Sequence, residues 1–135
     1  MKPALLATLA LALATPAAAG APWRPTGVAV TVTGPIALTP GHFVAAGADF
    51  PLRLVGQAST LQSGRRVREA LIFAVDRAMT PPLVNGARLC GLTPPTWIVA
   101  VPIAPAGLEI AVFNGETRPS APDSRGLCAT FFYNR

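Results

Sequence analysis

Residues 97–113, WIVAVPIAPAGLEIAVF, decide the fold class of this chain. The first seven residues, WIVAVPI, are apolar on both faces, which is typical of a central strand that is covered on both sides. APAG forms a short connection, and in LEIAVF the side chains of Leu108, Ile110 and Val112 share one face by strand alternation. The stretch therefore predicts two adjacent strands that run antiparallel.

Other short segments predict further strands. Residues 28–34 (VAVTVTG) are β-branched between glycines, residues 51–56 (PLRLVG) alternate, and residues 127–133 (LCATFFY) are apolar and aromatic. The Pro-Gly pair at 40–41 predicts a turn, and the Asn-Gly pair at 85–86 predicts a tight hairpin between PLV and ARLCG. Short strands with many turns predict an all-β fold, which is a small antiparallel β-sandwich or barrel.

One segment fits two kinds of secondary structure. Residues 67–79, VREALIFAVDRAM, carry both a helical apolar stripe and a strand face. The length favours a helix, whereas the Ile-Phe-Ala-Val centre and the all-β surroundings favour a strand, and we interpret 69–77 as a strand. The preceding polar residues 57–66, QASTLQSGRR, predict a loop.

The N-terminus has the pattern of a signal peptide. A short positive segment precedes an apolar run at residues 4–14, and Ala17-x-Ala19 fits the small-residue rule for cleavage. The apolar run is shorter than the about 20 residues that a stable transmembrane helix requires. The pattern therefore predicts a signal peptide over residues 1–19 and a bacterial protein that is periplasmic or secreted.

The remaining chain, residues 20–135, is long enough for one domain. About 115 residues allow a modest core but not two domains. We predict a single β-domain, with residues 20–27 as a loosely ordered, proline-rich arm and no transmembrane segment in the mature chain.

The two cysteines, Cys90 and Cys128, predict a structural disulfide. Thiols pair in oxidising compartments, and two cysteines allow one intramolecular connectivity. The chain-entropy model gives a loop of this length a stabilisation of about 4 kcal/mol. The sequence has no C-x-x-C motif and one histidine, His42, far from both cysteines, so the donors are too few for a closed zinc site. We predict no metal site and no cofactor.

The mature chain is basic, with ten arginines and no lysine against six acidic residues. Such a charge favours an anionic partner, while the alternative is a charge that serves solubility. Arg65, Arg66 and Arg68 lie close together and are candidate contacts with an anion or a partner; the alternative is a solvated loop. The predicted export, and the lack of aromatic residues among these arginines, argue against nucleic acid.

The sequence contains no recognisable catalytic motif. It has no G-x-S-x-G, S-x-x-K or phosphate-binding loop. The acidic residues are scattered rather than paired: Asp49, Glu69, Asp76, Glu109, Glu116 and Asp123. We therefore assign no catalytic residue. The tryptophans are interpreted structurally, Trp97 as part of the core and Trp23 as a peg onto the domain surface.

Four segments resemble uncharacterised small exported bacterial β-proteins. They are NGARLCG (85–91), TWIVAVP (96–102), LEIAVFNG (108–115) and LCATFFY (127–133), which together give the pattern N-G-x-x-L-C-G … L-C-x-T-x-x-Y. The resemblance implies turns, strands and a disulfide, and it implies no catalytic residue. In size, export and cysteine use the chain also resembles the small β-barrel lysozyme inhibitors of the periplasm.

These features lead to two hypotheses of function. The first is a non-enzymatic periplasmic binding or interaction module whose partner is an envelope protein or an anionic surface. The second is an inhibitor of an envelope hydrolase of the lysozyme or protease type, in which loop 57–68 or loop 114–126 enters the active-site cleft.

Overall fold

The computed structural model describes residues 22–62, 65–120 and 125–135, with the backbone alone at 58–62 and 65–68. The predicted signal peptide at 1–19 lies outside the described residues. The fold is almost entirely antiparallel sheet. Its strands are β1 (Arg24–Thr26), β2 (Ile36–Thr39), β3 (His42–Ala45), β4 (Ala48–Gln62), β5 (Arg65–Val75), β6 (Trp97–Ile103), β7 (Gly107–Phe113) and β8 (Leu127–Asn134).

The strands form one sheet in the order β1-β8-β7-β6-β5-β4-β3-β2. The predicted pair at 97–113 is confirmed as β6 and β7, which pair antiparallel from Trp97 opposite Phe113 to Ile103 opposite Gly107. Ile98 and Ile110 on these strands are completely buried. The all-β prediction is therefore confirmed, and the architecture is a nearly closed barrel rather than a sandwich.

The two outer strands of the sheet meet and close the barrel. Trp23 N donates to Ile36 O at 2.8 Å, and Ile36 N donates to Trp23 O at 3.1 Å. The next residues of the lead-in form β1, in which Arg24 lies opposite Asn134 of β8. Residues 24–26 are thus a strand and not the loosely ordered arm predicted from the proline content. Pairing with β8 gives the backbone groups of this segment hydrogen-bond partners that its neighbours in sequence do not provide.

Aromatic and branched side chains fill the interior of the barrel. Phe43, Phe50 and Tyr133 are each at most 1% exposed, and the rings of Phe43 and Phe50 are 5.9 Å apart. Every strand from β2 to β8 contributes alternate residues to this interior cluster. Packed side chains therefore occupy the interior, as in small barrels generally.

The strand predicted over residues 28–34 is wrong, since this segment forms the short helix α1 (Ala29–Val32). Gly27 and Gly34 bracket the helix with φ values of +58° and +65°. The segment connects β1 to β2, and Ala29 and Thr33 within it are completely buried. A helical turn satisfies its own backbone groups where no neighbouring strand is available, and this requirement overrides the β propensity of valine and threonine.

In the ambiguous segment at 67–79, the strand predicted at 69–77 is confirmed as part of β5, which ends at Val75. The loop predicted at 57–66 is wrong, because β4 continues to Gln62 and β5 begins at Arg65. The two strands pair along their length, from Leu52 opposite Val75 to Gln62 opposite Arg65, with register shifts between Leu54 and Gly56 and between Ser59 and Leu61. The polar composition of this segment therefore does not exclude a strand.

A long connection between β5 and β6 contains the predicted Asn-Gly turn but no hairpin. Asn85 and Gly86 have φ values of +53° and +80°, and Ala87 N donates to Val84 O at 2.9 Å. A 3₁₀ turn at Val84–Gly86 is the only regular element described here, so the turn is confirmed and the flanking strands are not. Leu83 and Leu89, on either side of the turn, are buried in the interior cluster and do not form paired strands. We call these two packed residues the cap.

The predicted disulfide is confirmed. Cys90 and Cys128 are bonded, with their Cα atoms 5.5 Å apart and a sequence separation of 38. Cys90 lies in the connection before β6, and Cys128 lies at the start of β8. The bond therefore fastens the cap to the strand on the far side of the β6–β7 pair.

We expect Cys90→Ser to lower the free energy of unfolding by about 2–5 kcal/mol, because it removes the constraint on a long loop. Urea unfolding of the oxidised proteins measures the difference. Cys128→Ser should give the same loss, and the double variant should lose no more than either single variant. Equal stability of wild type and both variants under oxidising conditions would contradict a stabilising role.

Candidate functional site

A two-stranded arm is the most prominent surface feature. We define the β4–β5 arm as residues 57–62 of β4 and residues 65–70 of β5. Within the described part of the chain, β3 pairs only with residues 48–51 of β4, and β6 pairs only with residues 71–74 of β5. The arm therefore pairs only with itself, and six residues at 3.4 Å each give it a length of about 20 Å.

The arm carries the three arginines that the sequence singled out. In the backbone register, Arg65 lies opposite Gln62 and Arg66 lies opposite Leu61, with Arg68 two residues further along β5. Their side chains lie outside the described residues, so contact with an anion or a partner stays a prediction. The backbone does establish that these residues are in a strand at the end of the arm and not in an irregular loop.

Two further arginines lie at the same end of the sheet. We call this end of the sheet the arm end. It also contains the β2–β3 and β6–β7 turns, because every second turn of an antiparallel sheet lies at the same end. The guanidinium of Arg135, just after β8, lies 4.2 Å from the ring centre of Trp23. Arg24 Nη2 donates to Arg135 O at 2.9 Å. Sequence reasoning missed the pair of Arg24 and Arg135, since the two residues are 111 positions apart. Trp23, which the sequence predicted to be a peg onto the domain surface, packs on the interior cluster.

The loop after β7 is held against the outside of the sheet. Asn114 N donates to Gly126 O at 2.9 Å and closes its base. The guanidinium of Arg118 occupies the space that a side chain at Gly56 would need, and Pro119 is buried. Of the two loops predicted to enter a cleft, the described part of 114–126 is thus packed against the barrel, and the described part of 57–68 belongs to the arm.

A second apolar cluster lies on the outer face of the sheet, next to that loop. It consists of buried residues from the three central strands: Ala70, Ile72, Val99, Val101, Ala111 and Phe113. The predicted core residue Trp97 packs against this cluster rather than inside the barrel. Its Nε1 is buried, with no hydrogen-bond partner among the described residues.

Two of the acidic residues, Asp49 and Asp76, each lie beside a basic residue. Asp49 Oδ1 lies 2.9 Å from His42 Nδ1, and Asp76 Oδ1 accepts from Arg53 Nε at 3.2 Å. Both pairs are exposed, and each places a carboxylate beside a side-chain nitrogen of a basic residue. Glu109 is buried on β7. No cluster of three or more metal-binding side chains occurs among the described residues.

In the interior, Thr33 and Tyr133 make a polar contact. Their hydroxyl oxygens are 2.8 Å apart, and Thr33 Oγ1 also donates to Gly34 O at 2.8 Å. Burial raises the pKa of Tyr133 to about 12, while the hydrogen bond to Thr33 acts in the opposite direction. A neutral phenol that joins the helix to the sheet has a structural role.

Comparison with known proteins assigns no family to the chain: no family model matches it, and neither curated proteins nor solved structures give a match. Among the described residues, no helix has the length and apolar character needed to cross a membrane. The arm end is therefore the candidate site on the basis of its geometry.

We expect the stability of the protein to fall between pH 10 and pH 12. The pKa of Tyr133 is higher in the folded than in the unfolded chain, so its contribution is complete below pH 10 and is lost as the pH rises through the folded value. The loss should be about 2–3 kcal/mol at 1.36 kcal/mol per pKa unit. Urea unfolding at pH 8, 10 and 12 should show this decline in wild type and a flatter profile in Tyr133→Phe; parallel profiles would contradict it.

Proposed function

We propose that this protein is a non-enzymatic binding module of the bacterial cell envelope and that the β4–β5 arm contacts its partner. The observation that carries the proposal is the self-paired arm with Arg65, Arg66 and Arg68 at its end. Neither β3 nor β6 pairs with this part of the sheet among the described residues. A role in contact with another molecule accounts for its length.

The filled interior supports recognition at the surface. Small-molecule sites are usually concave and preformed, and in larger barrels they lie within the barrel itself. Here Phe43, Phe50 and Tyr133 occupy that space. A macromolecular partner bound outside the barrel fits this packing better than a small ligand bound within it.

The expected location in the envelope is supported by two independent features. Residues 1–19 have the composition of a signal peptide, and the chain contains a disulfide of the kind that persists in oxidising compartments. The proposal therefore places the partner among the proteins or surfaces of the periplasm.

The charge of the arm end favours an anionic partner. Arg24 and Arg135 are exposed, and the three arm arginines lie at the same end of the sheet. Clustered arginines raise the local concentration of anions and form paired hydrogen bonds with carboxylates or phosphates. We therefore propose an acidic face of an envelope protein as the partner.

The test compares two triple variants that remove equal charge. Arg65, Arg66 and Arg68 are replaced by Gln in one, and the exposed Arg77, Arg88 and Arg125, from connections at the opposite end, are replaced by Gln in the other. The mature protein is cross-linked in periplasmic extract, and the partner is quantified by mass spectrometry. We expect the arm variant to lose the partner and the control to keep it. Equal capture by both variants, or no captured species with wild type, would reject the proposal.

The alternative is inhibition of an envelope hydrolase by the arm. A narrow, projecting strand pair has the shape needed to enter an active-site cleft, and this favours the arm over the packed loop after β7. If the alternative is correct, purified protein inhibits at least one member of a panel of lysozymes and proteases at micromolar concentration, and the arm triple variant does not. Full activity of every enzyme in the panel would remove this alternative.

A further inference from the structure

One edge of β4 has no neighbouring strand. Pairing with β3 ends at Pro51, and the last backbone bond to that side is from Leu52 N to Gly41 O at 2.8 Å. Among the described residues, no strand pairs with the same side of β4 from Arg53 to Gln62. An unpaired strand edge offers a row of backbone donors and acceptors to another strand.

The direction of the free backbone groups follows from the register. Val75 N donates to Thr96 O, so the backbone groups of Val75 point toward β6 and away from β4. Alternate residues of a strand point the same way, so Leu71 and Glu69 also point away from β4. Gln57 and Ser59 lie opposite them, and their N–H and C=O groups therefore point to the open edge.

The sequence of this edge lacks charge and proline, two features that usually prevent pairing. Residues 54–62, LVGQASTLQ, contain no charged residue and no proline. The bulges fall at Leu54/Gly56 and Ser59/Leu61, which leaves residues 56–59 as a regular segment. On the other edge of the arm, residues 65–69 are RRVRE, where like charges disfavour self-pairing.

We propose that the β4 edge binds the same edge of a second copy of this chain, antiparallel about a two-fold axis at Ala58. In this arrangement Gln57 lies opposite Ser59 of the partner copy, and each such pair exchanges two hydrogen bonds. The axis repeats the pair, which gives four bonds in all. Ala58 lies opposite its own copy in the pair that makes no backbone bonds.

A second copy fits this edge better than a charged peptide does. The interface pairs uncharged residues with uncharged residues, and a two-fold axis requires such self-complementarity. The arginines lie on β5, one strand removed from the interface, so they do not oppose one another directly. The dimer would place two arms side by side and bring six arm arginines to one assembly.

The first test is a cross-link at the axis. Cα atoms in an antiparallel pair without backbone bonds lie about 4.5 Å apart, within the range of a disulfide. Since Cys90 and Cys128 are bonded to each other, Ala58→Cys adds the only free thiol. Mild oxidation should convert Ala58→Cys mainly to a covalent dimer, whereas Leu92→Cys, at an 87% exposed position, should stay largely monomeric. Equal yields from the two variants would overturn the arrangement.

The second test removes one edge-facing donor. Gln57→Pro deletes an N–H that the β4–β5 ladder does not use, so sedimentation should show a dimer about tenfold weaker or more. The free energy of unfolding of the monomer should change little. Added salt should strengthen the wild-type dimer, because it screens repulsion between two cationic copies. A monomeric wild type at high concentration and high salt would overturn the proposal.

The two proposals can fail separately. Replacing Arg65, Arg66 and Arg68 by Gln should leave the dimer intact or strengthen it while it removes the anionic partner. Gln57→Pro should weaken the dimer and keep the arginines. Loss of the dimer in the arginine variant would show that the edge proposed here is not the interface.

Discussion

The barrel depends on one pair of backbone hydrogen bonds that joins its outer strands, between Trp23 and Ile36. A sheet of eight strands has two edges, and each edge leaves backbone groups that require partners. Closure satisfies them and encloses the aromatic interior. It also leaves residues 27–35 to connect two strands that already lie side by side. The helix α1 and the buried contact of Thr33 with Tyr133 follow from that constraint.

The disulfide and the proposed recognition surface lie at opposite ends of the sheet. The disulfide lies at the end opposite the arm, with the cap around Leu83 and Leu89 and the base of the loop after β7. The arm end has the self-paired strands and five of the ten arginines. This separation allows the surface chemistry of the arm to vary while the barrel keeps its packing.

The arm itself has two unlike edges. The β5 edge is strongly charged, and the β4 edge is uncharged over nine residues. A charged edge opposes pairing with its own copy and attracts anions, whereas an uncharged edge can accept another strand. One element can therefore provide both self-association and binding of an acidic partner, with opposite dependence on salt. The barrel supports this division because the pairing of β3 with β4, and of β6 with β5, stops before the arm begins.

The sequence by itself determined the features that depend on neighbouring residues or on simple counting. The β6–β7 pair follows from two apolar runs with a short connection, the turns at 40–41 and 85–86 follow from their residue pairs, and the disulfide follows from the presence of only two cysteines. Arg65, Arg66 and Arg68 were visible as a cluster, but their strand was not, because their polar neighbours resemble a loop.

Only the tertiary structure decided the segments whose partners are distant in sequence. Residues 24–26 are a strand because β8 lies beside them, and residues 29–32 are helical because closure of the barrel leaves them without a neighbouring strand. The pairing of Arg135 with Trp23, and the free edge of β4, likewise depend on which strands end where. A backbone group forms its hydrogen bond with the partner that the whole fold provides. Local propensity decides the conformation of a segment only where no distant segment offers such a partner.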